Sequence, residues 1–255
     1  MDKSVGIFLT VLIVCISTLV LAEPLDDRIF GGQLATLGQF PSIVSIKTGP
    51  GIIGDVCGAS IITKQWVATA AHCVSDSAPD DIFLLADTLL LDSGGTNYSV
   101  SSIVVHPEYY RYTYTNDIAL IKLQTEFTLS ATTQTIEIDT SSGNESCTIV
   151  GWGKIRATYP DALYYANLTA LTDDDCTRMA QGGAFVIERG PGQLCAFAAQ
   201  GIGPCYGDSG GPLICVGKLI GMASYAISPC AKGYPDVYTR IAYYVDWIND
   251  VIAST

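Results

Sequence analysis

A chain of 255 residues is long enough for one large domain or two small ones around a substantial core. At 49% hydrophobic and 15% charged it lacks the composition of a disordered protein, and a formal charge of −12 excludes binding of nucleic acid or an anionic membrane through a basic face. Nine cysteines point away from the reducing cytosol and toward an oxidising compartment.

In chain order, Lys3 precedes an apolar run from Val5 to Leu21, and Val20-Leu21-Ala22 offers a small residue at a cleavage point. Residues 1–22 therefore read as a secretory signal peptide, which makes the protein secreted and extracellular. The alternative is a membrane tether, if the run escapes cleavage. Residues 23–28 (EPLDDR) are acidic and free of cysteine, and end at Arg28 ahead of Ile29-Phe30-Gly31-Gly32. They read as a pro-segment removed by proteolysis between Arg28 and Ile29; a solvated linker is the plainer alternative. The first 28 residues hold two basic and four acidic groups, so the remainder keeps a charge of −10.

From Gln39 onward, short β-prone runs are punctuated by Gly, Pro, Asn and Ser: Ser42–Ile46, Ala59–Thr63, Ile82–Leu85, Ser99–Val105, Ile118–Leu123, Cys147–Val150, Leu213–Val216 and Lys218–Ser224. Strands at this spacing without alternating helices predict an all-β barrel or sandwich. A helix closes the chain, with Tyr244, Ile248, Val251 and Ile252 on one face. Asp173–Asp175 marks the start of a second helix with a solvated acidic face. The polar stretch at 130–135 divides residues 29–255 into halves of about 29–132 and 133–255.

Three short segments carry chemistry. His72, in Thr69-Ala70-Ala71-His72-Cys73, ends an apolar strand beside a cysteine, whereas His106, the other histidine, lies in a turn and reads as structural. Asp117 heads the apolar run Ile118-Ala119-Leu120-Ile121. Burying that carboxylate alone costs several kcal/mol, so it either caps its own turn or holds the ring of a histidine. Ser209, in Gly207-Asp208-Ser209-Gly210-Gly211-Pro212, stands where glycines allow successive N–H groups to converge on a developing oxyanion.

With these motifs in the order His, Asp, Ser, the sequence resembles the chymotrypsin-fold serine endopeptidases over nearly all of Ile29 to Thr255. Gly151-Trp152-Gly153 and Ser224-Tyr225-Ala226 add to the resemblance. It implies two six-stranded antiparallel β-barrels side by side with a C-terminal α-helix, and peptide hydrolysis through an acyl-enzyme. His72, Asp117 and Ser209 form the triad, and the amides of Gly207 and Ser209 the oxyanion hole. It also implies that Ile29, freed by the cut after Arg28, offers its ammonium to Asp208. Eight cysteines remain after Cys15 leaves with the signal peptide; spacing alone allows 105 pairings. The resemblance selects Cys57–Cys73, Cys147–Cys215, Cys176–Cys195 and Cys205–Cys230, and calls for no metal or other cofactor. Partners implied are protein or peptide substrates, an activating trypsin-like protease and protein inhibitors, with the enzyme a monomer free of the membrane after processing. A non-catalytic binding protein built on the same fold is the rival reading.

The specificity pocket falls to Gly203, Ser224, Tyr225, Ala226 and Asp236. Gly203 stands where trypsin-like enzymes carry an Asp for Lys or Arg, and Asp236 replaces a rear-wall glycine. That pattern is similar to broad-specificity collagenolytic proteases of crustaceans and insects, and implies chymotrypsin-like or broad cleavage, with Arg or Lys tolerated through Asp236; if Asp236 is satisfied locally, an apolar pocket remains. Asn97, Asn144 and Asn167 fit the N-glycosylation pattern. Asp87 and Asp92 leave calcium open, and Tyr109, Tyr110, Tyr112 and Tyr114 crowd the approach to Asp117.

Overall fold

The computed structural model describes residue 29 and residues 31–48, 57–91, 93–139, 145–153, 162–180, 189–226 and 229–254. After a two-residue β1 (Gln33–Leu34), the chain runs through β2 (Ile43–Thr48), β3 (Cys57–Ile61), β4 (Trp66–Thr69), β5 (Ile82–Ala86), β6 (Thr96–Val105) and β7 (Ala119–Leu123). Strands β2 to β7 close into an antiparallel barrel in the order β2-β3-β4-β7-β6-β5. Its interior is apolar, with Val44, Ile61, Val67, Leu84, Val100, Ile121 and Phe127 buried together. Along the start of β6, buried Tyr98 and Val100 alternate with exposed Asn97, Ser99 and Ser101, the period of a strand with one face on the core. β6 pairs with β5 through residues 96–99 and with β7 from Val100 onward. A register shift between Val100 and Ser102 bends it from one neighbour toward the other.

The second half contributes β8 (Ser146–Gly151), β9 (Tyr164–Ala170), α1 (Asp173–Ala180), β10 (Gln193–Phe197), β11 (Pro212–Cys215), β12 (Lys218–Tyr225) and β13 (Asp236–Arg240). These strands run β9-β10-β13-β12-β11-β8, and the β8–β9 pairing closes the second six-stranded barrel. Tyr238, Leu213, Leu194, Ile149 and Leu168 fill it. The expected division at about residue 132 needs one amendment in the chain's path. β1 pairs with β9, Gln33 opposite Tyr165, and Ile29 is buried among the second barrel's core residues. The segment ahead of β2 thus packs with the second barrel, because that barrel supplies both an open strand edge and an apolar seat.

Two packing features help to join the barrels. Gly58 of β3 donates its N–H to the Ser209 carbonyl at 2.8 Å, and a Cβ on Gly58 would fall 2.8 Å from the Gly211 Cα. The contact is main chain against main chain, closer than any side chain permits. On the opposite side, the final helix α2 (Val245–Ser254) follows a 3-10 turn over Ile241–Tyr244. Tyr244 therefore lies just before α2, not within it, yet it packs with Ile248, Val251 and Ile252 as the spacing predicted. They meet Trp66, Ala68 and Leu120 of the first barrel and Leu219 and Met222 of the second.

Ile248 is 1% exposed in that cluster. Ile248→Ala is expected to destabilise the protein by about 2–5 kcal/mol through a cavity between the barrels. The measurement is the urea midpoint at unchanged slope.

Candidate active site

β4 is buried along its whole length and delivers the chain into a 3-10 turn, Ala71–Cys73, that carries His72. The turn is tied back to β3 by the Cys57–Cys73 disulfide. Asp117 faces His72: its Oδ1 accepts the His72 backbone N–H at 2.9 Å, and its Oδ2 lies 2.8 Å from Nδ1. A second-barrel hydroxyl, Ser224 Oγ, donates to the same Oδ2 at 2.5 Å, and Thr239 Oγ1 donates to the Asp117 carbonyl at 2.6 Å. The carboxylate is thus spent on the histidine and on β12, not on capping its own turn. An ionised carboxylate only accepts, so Nδ1 carries the proton facing it and Nε2 keeps a free lone pair.

Ser209 and His72 line one cavity of about 620 Å³, together with Gly207, Ser224, Tyr225 and Ala226. The serine turn is held by main-chain hydrogen bonds on either side of Ser209. Asp208 N donates to Cys205 O, Gly210 N to Ala223 O and Gly211 N to Asp208 O. Gly210 has φ +72°, and a Cβ there would meet Thr69 Oγ1 and the Gly58 carbonyl, so only glycine fits. The cavity walls carry two bridges, Cys57–Cys73 and Cys205–Cys230. Cys147–Cys215 links paired positions of β8 and β11, and Cys176–Cys195 ties α1 to β10.

Two further carboxyls are buried in the second barrel. Asp208 is wholly enclosed; Oδ1 accepts from Gly153 N at 2.8 Å and Oδ2 from Cys205 N at 2.9 Å. Burial pushes it up to about 6, against the pull of those two bonds. Asp236 is 4% exposed, and burial, with the neighbouring Asp208 charge, holds it well above the usual carboxylate range. A Cβ on Gly203 would fall 2.7 Å from Asp236 Oδ2, so the two lie against each other, but neither is itself among the residues that line the cavity. They are chain neighbours of the lining residues Pro204 and Val237, while Ser224, Tyr225 and Ala226 line the cavity directly.

Of the four tyrosines ahead of Asp117, Tyr114 is the one that reaches His72. Its ring meets His72 edge-on at 5.4 Å and Tyr225 at 5.5 Å, and its carbonyl accepts from Gln193 Nε2 at 3.2 Å. Thr239 escaped notice, since nothing local distinguishes it and its partner Asp117 is 122 residues away. His106 lies elsewhere, between the rings of Tyr244 and Trp247, and burial lowers its pKa. Cys57, His72 and Cys73 bring three ligand-type atoms within 4.8 Å, but both sulfurs are held in a disulfide and offer no thiolate. Asp87 contacts the Thr132 hydroxyl. Asn97 and Asn167 are exposed on β6 and β9. Arg28, Phe30, Asp92, Asn144 and residues 1–27 lie outside the described residues, and among the described residues no helix is long and apolar enough to cross a membrane.

Two closed barrels with a histidine–carboxylate pair and a glycine-flanked serine on their shared cavity define the class of the chymotrypsin-fold serine endopeptidases. The family described as Trypsin matches residues 29–248. A trypsin of Xenopus laevis is 35% identical over 90% of this chain and 93% of its own length. Trypsin II-P29 of Gallus gallus is 36% identical over 90% and 91%, and the anionic trypsin of Bos taurus 35% over the same shares. The chain belongs to the trypsin family and is a serine endopeptidase.

Ser224→Ala removes a hydroxyl from a buried carboxylate, a bond of about 1.5–3 kcal/mol. It is expected to lower kcat roughly ten- to hundredfold with KM little changed, as read from peptide kinetics. Asp208 generates a second prediction. Between the ordinary carboxylate value and about 6, the folded intact chain holds a proton that the unfolded chain has released. Stability is therefore full below about pH 4 and falls as pH rises through 6, by about 3 kcal/mol from this group. Urea denaturation of the intact chain across that window tests it, and Asp208→Asn should flatten the corresponding part of the curve.

Proposed function

We propose that this endopeptidase is a secreted zymogen that loses residues 1–22 as a signal peptide and residues 23–28 on cleavage after Arg28 by a trypsin-like protease. Ser209 Oγ attacks the scissile carbonyl while His72 Nε2 takes its proton; His72 then protonates the leaving amine, and water hydrolyses the acyl-enzyme in the reverse sense. Asp117 holds the tautomer and stabilises the imidazolium. The amides of Gly207 and Ser209 stabilise the oxyanion, each worth on the order of 10²–10³ in rate. The observation that carries this reading is the 2.8 Å His72–Asp117 pair opening on the cavity that Ser209 also lines. Burial of both Ile29 and the Asp208 carboxyl supports the activation step, in which a new α-ammonium finds a carboxylate otherwise held by two amides.

The enzyme acts as a monomer on protein and peptide chains. Its preference is for large apolar residues before the cut, with Arg and Lys also accepted through Asp236. The relatives are named trypsin, but this chain has Gly203 at the place of the trypsin-like aspartate. The contact between Gly203 and Asp236 supports a carboxyl brought to the pocket from β13 instead.

Secreted Ser209→Ala protein should begin at Glu23 and, after trypsin treatment, at Ile29, as read by N-terminal sequencing. The unsubstituted chain should take up an organophosphonate at Ser209 only after that cut; a chain cut at Arg28 that stays unlabelled would favour the binding-protein alternative. On a peptide panel varied before the scissile bond, Asp236→Ala is expected to lose Arg and Lys cleavage at least tenfold while keeping Phe and Leu cleavage. Unchanged cleavage at the basic residues would refute the pocket assignment.

A further inference from the structure

We propose that the pocket switches its substrate class with pH, taking only apolar side chains while the Asp236 carboxyl is protonated and adding Arg and Lys once it ionises. The inference rests on the assignment of Asp236 to the pocket and goes beyond it to the conditions under which each peptide class is cut.

Two buried carboxyls bracket one short stretch of chain. Gly203 packs on Asp236, its absent side chain leaving room for Oδ2, and two residues later the Cys205 N–H donates to Asp208. Asp208 thus has fixed donors on both oxygens. Its charge, when present, acts on Asp236 across this segment. Tyr238, two residues along β13, is fully buried and its hydroxyl has no hydrogen-bond partner among the described residues. Burial and both carboxylates push that phenol up, so it stays neutral and adds no charge.

Of the strands beside Asp236, β10 carries no ionisable side chain apart from the bridged Cys195. β12 brings Tyr225, which burial raises to about 12. On the loop entering β13, Lys232 is exposed and Tyr234 half-buried. In the intact chain the surroundings offer Asp236 low polarity and a neighbouring negative group; after activation the Ile29 ammonium offsets the Asp208 charge and burial remains. Ionisation is deferred to higher pH than for an ordinary carboxyl, and a guanidinium or ammonium in the pocket favours it.

The experiment uses the full chain activated by immobilised trypsin that is then filtered away. It follows kcat/KM from pH 5 to 9 on peptides that differ only in Arg, Lys, Phe or Leu before the cut. His72 serves all four, so its titration cancels in the Arg-to-Phe ratio, which reads the pocket alone. The ratio is expected to rise at least tenfold in one titration whose midpoint lies above the ordinary carboxylate range, and to be low and flat in Asp236→Asn. A flat ratio in the unsubstituted enzyme, with Asp236→Asn still losing basic cleavage, overturns the gating but leaves the pocket assignment standing. Basic cleavage unaltered in Asp236→Asn overturns both, and a titration that survives in Asp236→Asn assigns the switch to another group. If that variant does not fold, benzamidine inhibition of the unsubstituted enzyme decides: at least fivefold tightening between pH 5 and 8 upholds the gating, and constant inhibition overturns it.

Discussion

The Asp117 carboxylate holds the two barrels and the reactive histidine in one arrangement. Its residue belongs to the first barrel, just ahead of β7, and two of its bonds go to His72. A third comes from the other barrel, through Ser224 on β12, while Thr239 on β13 holds the Asp117 main-chain carbonyl. A charge so completely buried is tolerable only when it is paired and hydrogen-bonded. Only with the barrels docked in register does the charge receive its third donor. The turn that delivers it is itself bent, with Tyr114 and Asn116 at positive φ. Gln193 and Tyr244, both from the second half, hold the Tyr114 carbonyl and the Asn116 side chain.

The second barrel treats its own carboxyl in the opposite way. Asp208 has two amides and no cation among the bonds that hold it, and burial raises it toward neutral pH. Gly151 and Gly153 leave it no slack, since a Cβ on either would strike its oxygens. One buried carboxylate is thus satisfied by folding, whereas the other has the chemistry of a group awaiting a positive charge. The difference lies in the donors each one receives, not in depth, since both are essentially inaccessible.

What could be read from the chain follows from the range over which each feature is encoded. His72, Asp117 and Ser209 stood out because their chemistry demands particular neighbours within a few residues. Alternating strands such as the start of β6 and the helical face of Ile248, Val251 and Ile252 were legible for the same reason. Gln193–Phe197 was not, as it is almost wholly buried and a short buried run carries no period. Thr239 and Gln193 were invisible because each acquires its role only by meeting residues far along the chain, and Ile29 was placed near Asp208 only through likeness to a family. The bridges were legible only through likeness to a family, spacing alone leaving every pairing open. The contact of Gly203 with Asp236 likewise needed three dimensions.

The path of the chain ends has a consequence for how the molecule is made. Ile29 and β1 belong with the second barrel, whose strands are translated last, and α2 covers Trp66 and Leu120 of the barrel translated first. Neither half is therefore a self-contained module that can be finished on its own during synthesis. The leading segment has no seat until β9 emerges, and the early barrel keeps an uncovered apolar wall until the last ten residues arrive. Each half therefore covers apolar surface that the other exposes, and the two complete each other's packing.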